Sequence, residues 1–344
     1  MENGLKSSSK VRFGLVGTGR ITDWVLRGAV LDSRFEALAV CSRNMDRAKA
    51  FAHAHGVKKA YDDIDAMASD PEIDAIYVGT PNNTHAEIAI RCMRKGKHVL
   101  CEKPLASNAF EAERMVQVAR ENGVVLMEAM ISTLSPNFRK VIQTVPQVEP
   151  VRRYVASFCQ YSSKYEALKR GEVASSFDPL CSGGALMDVG IYTIWPMVVL
   201  FGEPEVIYPS IMTYDISGHG LTDLQGSVEF KYPGFNATVF YSKIADSFVP
   251  AEISGEGGNI LLDKIHICRR LTFMPHGAPA SGRGKDPEGQ DLTCPPEADE
   301  YLCEWREFID CVLAGRESLI NTPDRSVVVM RILDTIRSRA GVRV

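Results

Sequence analysis

The feature that most constrains this chain is the alternation of short apolar runs and amphipathic stretches over its first 130 residues. Val11 to Val16 reads as a buried strand. It meets Gly17-Thr18-Gly19 and gives way to a helical stretch carrying Ile21, Trp24, Val25 and Leu31. Phe35 to Val40 is a second apolar run, followed by a helix from about Asp46 to His55 with Gly56 in the C-terminal stop position. Asp74 to Gly79 is a further strand, and Thr84-His85-Ala86-Glu87 then opens a helix with capping-box spacing that ends at Gly96. His98 to Cys101 is the next strand. Asn108 to Glu111 repeats the capping spacing before a helix ending near Gly123, and Val124 to Met127 is a strand again. Such alternation implies parallel strands with crossover helices, the doubly wound α/β arrangement, in which ligands bind at the carboxyl ends of strands.

After Met130 the texture changes. A loop-rich stretch from Ser162 to Ser182 precedes a helix around Gly184 to Leu200. Strand-like runs follow at Glu205–Tyr214, Gly226–Phe230, Ala237–Ser242, Ala251–Ser254, Ile260–Leu262 and Leu271–Met274, with no helix between them, which implies a mostly antiparallel sheet. A Gly/Pro-rich connection from Pro275 to Pro296 leads to two final helices, Glu300–Ala314 and Ser326–Ala340. We therefore expect a tail at 1–10, a nucleotide-binding domain at 11–130, and an α+β substrate and oligomerisation domain at 131–344 whose final helix packs back on the first.

The 344 residues are enough for two cores, and 45% hydrophobic with 24% charged residues is ordinary for a globular protein. A net charge of −4 with scattered basic residues gives no reason to expect nucleic acid as a partner. Nine cysteines without paired or metal-ligand spacing point to a reducing cytoplasm and to no metal. The polar segment Met1–Lys10 lacks an apolar core and reads as a tail, and Ile191–Phe201 contains Pro196 and is too short to span a membrane.

Gly17-x-Gly19 allows a tight turn and lets backbone amides approach a pyrophosphate at a helix N-terminus, although the third small position is Thr22. At the end of the second strand a carboxylate would favour a free ribose hydroxyl. Ser42, Arg43 and Arg47 stand there instead, and a hydroxyl with two guanidinium groups suits a 2′-phosphate, so NADP is favoured over NAD. Oxidation of a secondary alcohol needs a base, and tyrosine at about 10 is too weak unless a cation favours its phenolate. Lys103 can supply that charge. Asp188 and Tyr192 are four apart and share a helix face, while Gly183, Gly184 and Gly190 leave room for a cofactor or another element to come close. Taken singly, Tyr192 reads as core, Asp188 as a surface charge and Lys103 as a solvated strand end. The stripe Leu186, Ile191, Ile194, Trp195, Val198 reads as core, His85 as structural or cofactor-adjacent, and the loop holding Lys164, Tyr165 and Lys169 as a lid over the site.

Phe13 to Thr22, Thr80-Pro81-Asn82 with His85, Glu102-Lys103-Pro104, Met127-Glu128-Ala129, and Gly183 through Asp188 to Tyr192 resemble the glucose–fructose oxidoreductase/inositol dehydrogenase (Gfo/Idh/MocA) family. Glu304 through Phe308 to Gly315 and Leu333-Asp334 to Arg337 fit it as well, so the resemblance runs from Lys10 nearly to the end. Tyr192, where inositol dehydrogenases carry His, is similar to the dimeric dihydrodiol dehydrogenase and glucose–fructose oxidoreductase branch. The resemblance implies an N-terminal Rossmann domain, a C-terminal domain with a large open sheet, and a homodimer or homotetramer joined through that sheet. It implies cofactor contacts from Gly17, Thr18, Gly19, Arg20, Ile21, Ser42, Arg43, Arg47, Thr80, Pro81, Asn82, His85, Glu102 and Lys103. It also implies a cis Lys103-Pro104 bond, with Lys103, Tyr192 and Asp188 as the catalytic set. The expected activity is hydride transfer between NADP and a secondary hydroxyl or carbonyl of a sugar, polyol or trans-dihydrodiol. In this branch an Arg commonly precedes the Gly-Gly pair, whereas Ala174-Ser175-Ser176-Phe177 stands here. Two other functions compete with this one. A nucleotide-binding sensor would not need the Lys, Asp, Tyr relay, and a glycoside-cleaving relative with tightly held NAD conflicts with the phosphate-type residues at 42–47.

Overall fold

Apolar runs closed by glycine turns become parallel strands. The computed structural model describes residues 10–276 and 289–344, so the expected tail, apart from Lys10, and most of the 275–296 connection lie outside the described residues. Strands β1 (Val11–Val16), β2 (Phe35–Cys41), β3 (Lys59–Tyr61), β4 (Ala75–Val78), β5 (His98–Glu102) and β6 (Leu126–Ala129) form a sheet in the order β3-β2-β1-β4-β5-β6. Every pairing in it is parallel. The order reverses at β1/β4, the switch point where a doubly wound sheet opens a crevice at its carboxyl edge. Phe13, Leu15, Val40, Ile76, Tyr77 and Leu100 are all fully buried, as expected of strands covered on both faces.

The helices of this half are α1 (Arg20–Ala29), α2 (Met45–His55), α3 (Ile64–Ala68), α4 (His85–Met93) and α5 (Ala109–Glu121). α2 ends at a left-handed Gly56, φ 67°, as its sequence requires. α5 begins with the expected reciprocal cap: Asn108 accepts from the Glu111 amide at 2.9 Å and the Glu111 carboxylate accepts from the Ser107 amide at 3.0 Å. α4 departs from expectation. A 3₁₀ turn, Asn82–Thr84, precedes it, and the Thr84 hydroxyl donates to the Pro81 carbonyl at 2.7 Å instead of capping the helix. β3 and α3 lie outside the sequence-based expectation, because Lys59-Ala60-Tyr61 is a short, half-exposed edge strand without an apolar run.

The second half contains α6 (Ile131–Leu134), α7 (Pro136–Val148), β7 (Val151–Cys159), α8 (Tyr165–Lys169), α9 (Ile191–Phe201), β8 (Val206–Ile216), β9 (Gly220–Tyr232), β10 (Phe235–Ser242), β11 (Ala251–Gly255), β12 (Gly258–Leu262), β13 (Leu271–Pro275) and β14 (Gln290–Asp291). The strands form a sheet in the order β14-β13-β12-β11-β7-β10-β9-β8, antiparallel except for β7 with β10. α7 lies against β11, β12 and β13, and α9 against β7 and β10. On β10 the side chains alternate: Ala237, Val239 and Tyr241 are buried while Asn236 and Phe240 are exposed. The helix expected at Gly184–Leu200 is broken in character. Leu186–Gly190 is a π turn, in which the Ile191 amide reaches back to the Leu186 carbonyl, and only then does α9 begin. The stripe Leu186, Ile191, Ile194, Trp195, Val198 is core, as its spacing implies. The helical run Pro179–Phe201 is longer than the eleven residues judged too short for a membrane. By length and composition it is sufficient to cross one, but 72% of its 18-residue apolar window is buried inside the protein.

Two compact units result, Met1–Ile131 with Glu297–Met330, and Ser132–Pro296 with Arg331–Val344. In the first unit α10 (Leu302–Ala314) returns to the parallel sheet, and α11 (Pro323–Arg339) passes from the first unit into the second at Met330/Arg331. Trp305 of α10 is fully buried, edge-on to Phe13 and Phe35 with centroids 5.0 Å away, and its indole donates to the Val25 carbonyl at 3.0 Å. Trp305→Ala is expected to cost about 3–5 kcal/mol of stability, read from a denaturant midpoint; a loss under about 1 kcal/mol would mean the 297–330 segment is not part of this core.

Candidate active site

The first set of site residues gathers where β1, β2 and β4 end. The Gly17 amide donates to the Cys41 carbonyl at 3.0 Å and the Gly79 amide to the Val16 carbonyl at 2.9 Å. Gly17 has φ 109°, and a Cβ there would sit 2.4 Å from the Gly79 carbonyl oxygen, so no larger residue lets these strands approach. Thr18 and Gly19 follow, and Gly19 caps α1 with no side-chain hydrogen bond. Nothing lies within 4 Å of the direction a Cβ on Gly19 would take. The first-turn amides at Arg20 and Ile21 and the positive end of a ten-residue helix thus face an open cradle that fits a pyrophosphate. Thr22, the imperfect third position, is fully buried.

At the end of β2 the Ser42 amide donates to the Tyr61 carbonyl at 3.1 Å, which fixes the turn into α2, and Asn44 caps that helix by accepting from the Arg47 amide at 2.9 Å. Arg43 and Arg47 are exposed, and neither is paired with a carboxylate among the described residues. Two guanidinium groups thus stand at a strand end and a helix start, with Asp46 between them in the chain. That arrangement suits a phosphate dianion.

The loops after β4 and β5 are tied together by His85. Its ring is fully buried, with Nδ1 2.8 Å from the Pro104 carbonyl and Nε2 2.8 Å from the Thr80 carbonyl. Burial pushes the imidazole below its ordinary value against the opposing pull of both carbonyls. His85 therefore packs between Thr80-Pro81-Asn82 and Lys103-Pro104, and as a neutral ring its single N–H donates to one of the two carbonyls. The Lys103–Pro104 peptide is cis, as expected. The Glu102 carboxylate accepts from the Tyr77 hydroxyl at 2.7 Å in the interior. Burial raises Glu102, while Tyr77 and the Lys103 ammonium favour its charge; burial and Glu102 together raise Glu304 well above the ordinary carboxylate range. The Glu102 carboxyl thus lies in the interior within electrostatic reach of Lys103. Glu128 supports the same turn by accepting from the Leu105 amide at 3.1 Å.

The second set lies on the π turn and the first turn of α9. A π turn inside a helix is a common mark of a functional site. Gly184 has φ 124°, and a Cβ there would meet Asp223 Oδ1 at 2.1 Å; the room left at Gly183, Gly184 and Gly190 is filled by the chain's own segments at Ser175, Asp223 and Tyr241. Asp188 is about one-third exposed and pairs with Lys243 Nζ at 2.8 Å. The half-buried Tyr192 stands edge-on to Phe158, centroids 5.4 Å apart, and faces His266 at 6.4 Å. His266 stacks on Phe158 at 3.7 Å and is pushed down to about 4 by burial, helped by Lys264 and Arg269, so it is neutral. Lys243, Asp223, Phe158 and His266 escape the sequence-based reading. Lys243 carries a legible signal, since it follows an apolar strand directly, as Lys103 nearly does. The stretch 162–182 contains α8, and Leu168 and Phe177 within it pack with Ile216 and Leu224.

A doubly wound sheet with a glycine turn at its switch point, and a lysine at the carboxyl end of a neighbouring strand, defines a nucleotide-binding α/β protein of the oxidoreductase type. A family model described as "Oxidoreductase family, NAD-binding Rossmann fold" (GFO_IDH_MocA) matches residues 11–130. The chain is 39% identical to the scyllo-inositol 2-dehydrogenase (NADP(+)) IolU of Bacillus subtilis (strain 168), over 96% of this chain and 98% of the relative. It is 31% identical to the trans-1,2-dihydrobenzene-1,2-diol dehydrogenase of Xenopus tropicalis, over 96% and 98%. Among solved structures, levoglucosan dehydrogenase in complex with NADH and levoglucosan aligns with a TM-score of 0.82 at 19% identity, covering 97% and 98% of the two chains. The chain belongs to the Gfo/Idh/MocA oxidoreductase family.

Asp223 offers a test of the support beneath the π turn. Burial raises its carboxyl from 3.8 to about 6, against the Leu186 amide it accepts from at 2.6 Å. Because the native state holds this proton more tightly than the unfolded chain, its contribution to stability is lost as pH rises through that interval. Between about pH 4.5 and about pH 7.5 the wild type is expected to lose roughly 2 kcal/mol relative to Asp223→Asn. Parallel urea curves for the two proteins would contradict the burial of this charge.

Proposed function

We propose that this protein transfers hydride between NADP and a secondary hydroxyl or carbonyl of a cyclic polyol, a sugar or a trans-dihydrodiol. The observation that carries the reading is the proton-handling set. Tyr192 stands one turn from an Asp188 held by a buried lysine, and Lys103 lies within electrostatic reach of the buried Glu102 carboxyl. A chain that only sensed nucleotide would have no use for two ionisable groups partnered in this way. The IolU relative, named for scyllo-inositol and NADP(+), supports the substrate class and the cofactor.

When bound, NADP supplies the nicotinamide carbon that takes up or returns hydride. Gly17, Thr18, Gly19, Arg20 and Ile21 would hold its pyrophosphate, and Ser42, Arg43 and Arg47 its 2′-phosphate. In the oxidising direction Tyr192, as phenolate, accepts the hydroxyl proton. Lys103 would donate to the substrate oxygen. Asp188 orients the reacting hydroxyl by accepting from a neighbouring one. In this reading 11–130 is the cofactor domain, and the eight-stranded sheet carries substrate residues and joins subunits. Tyr208, Met212 and Phe240, exposed on that sheet, support a homodimer or homotetramer. Nine free thiols suit a cytoplasmic protein.

Tyr192→Phe is expected to lower turnover at least ~100-fold with NADPH affinity nearly unchanged; ordinary turnover in that variant would remove Tyr192 from the mechanism. Arg43→Ala is expected to weaken NADPH binding about tenfold or more while leaving NADH nearly unaffected, as read by fluorescence titration. Equal weakening of both nucleotides would reject the phosphate role.

A further inference from the structure

Lys243 follows β10 directly, and its side chain is 3% exposed. Burying an ammonium ion is costly unless the geometry compensates. Here the compensation is complete enough to locate the charge. Nζ lies 2.8 Å from the Asp188 carboxylate, donates to the Ser176 carbonyl at 2.6 Å, and sits 3.9 Å from the centre of the Phe177 ring. The backbone is held as well, since the Lys243 amide donates to the Leu224 carbonyl at 3.0 Å and the Ser162 amide to the Lys243 carbonyl at 2.9 Å. The pair is asymmetric. The cation is inside, whereas the carboxylate is 35% exposed.

We propose that Lys243 is the positioning residue for Asp188: it holds the carboxylate ionised and in one orientation, and neutralises it so that its charge does not raise the Tyr192 phenol. This rests on the role proposed above for Asp188 and Tyr192. An anchor for the 174–184 segment alone would need only the Ser176 and Phe177 contacts, and an uncharged chain of similar length would fill that space at lower cost. The other charged groups facing the pair are Asp223 on β9, which Lys243 and Arg337 of α11 both draw toward ionisation, and Tyr241 on β10, a phenol pushed well up by burial and by Asp223. Neither replaces the missing cation. With Lys243 gone, an uncompensated Asp188 one turn away raises the Tyr192 phenol, and the oxidising reaction requires a higher pH.

The experiment compares Lys243→Met, Lys243→Arg, Asp188→Asn and the double variant Asp188→Asn/Lys243→Met, using scyllo-inositol and NADP as probes. Lys243→Met is expected to lose about 30-fold in kcat with KM within about twofold, and the acid limb of its kcat/KM profile to move up by about half to one pH unit. Lys243→Arg is expected to restore the limb. The double variant, which removes both charges and so leaves neither unpaired, is expected to fold and to match Asp188→Asn; it carries the test should Lys243→Met not fold. An unshifted limb in Lys243→Met, or a double variant tenfold slower than Asp188→Asn, overturns the inference even where Tyr192→Phe is inactive and the proposed function stands. Wild-type turnover in an Asp188→Asn chain would instead strike at the proposed function.

Discussion

Much of the first unit depends on how closely β1 and β4 approach at Gly17. Its amide is bonded to the end of β2, and the Gly79 carbonyl occupies the space where a side chain would begin. Three strands therefore finish in line, and the segments leaving them are delivered to one edge: the open N-terminus of α1, the Ser42–Arg47 turn and the Thr80–Asn82 loop. His85 extends that line to the next strand by bridging Thr80 and Pro104 from within. The nucleotide cradle is in this sense a consequence of strand packing.

The ionisable groups assigned to chemistry share a second feature. Lys103 and Asp188 each have an ionisable partner in the interior, Lys103 the Glu102 carboxyl and Asp188 the Lys243 ammonium. A buried counter-charge interacts through a medium of lower dielectric than water, so it is screened less than a surface partner and fixes both ionisation and direction. The surrounding interior is arranged to tolerate this. Burial and Glu102 together raise Glu304 well above the ordinary carboxylate range, and Phe177 presents its ring face to the Lys243 ammonium. Tyr192 stands beside the Phe158 ring, with a neutral His266 opposite.

The parallel sheet is legible in the sequence because its strands are apolar runs closed by glycine and its helices carry local caps, both of which act within a few residues. The segments that escape depend on distant partners. β3 has no apolar run and exists because β2 offers an edge. α7 carries Pro146 in its interior, yet Ser135 caps it, Phe138 and Val141 are buried, and the helix packs against β12. β7 contains Arg152-Arg153 and becomes central only through pairing with β10 and β11. The site divides in the same way. Glycine turns, Lys103, Asp188 and Tyr192 can be named from motif and spacing, whereas Lys243 and His266 reach their places through folding of a sheet whose register the sequence does not display. Glu102 and His85 stand out in the sequence, but the internal partners of their side chains, Tyr77 for one and the Thr80 and Pro104 carbonyls for the other, do not.

Oxidation and reduction of a small hydroxylated ring with NADP can be watched in the nicotinamide absorbance band of the purified protein. The panel is inositols, pyranoses, pentoses and trans-dihydrodiols, each followed in both directions with NADP and with NAD. Steady turnover of one class, with NADP well ahead of NAD, is the expected result. Tight NADPH binding with no turnover of any member in either direction would refute the assigned chemistry and leave a nucleotide sensor in its place.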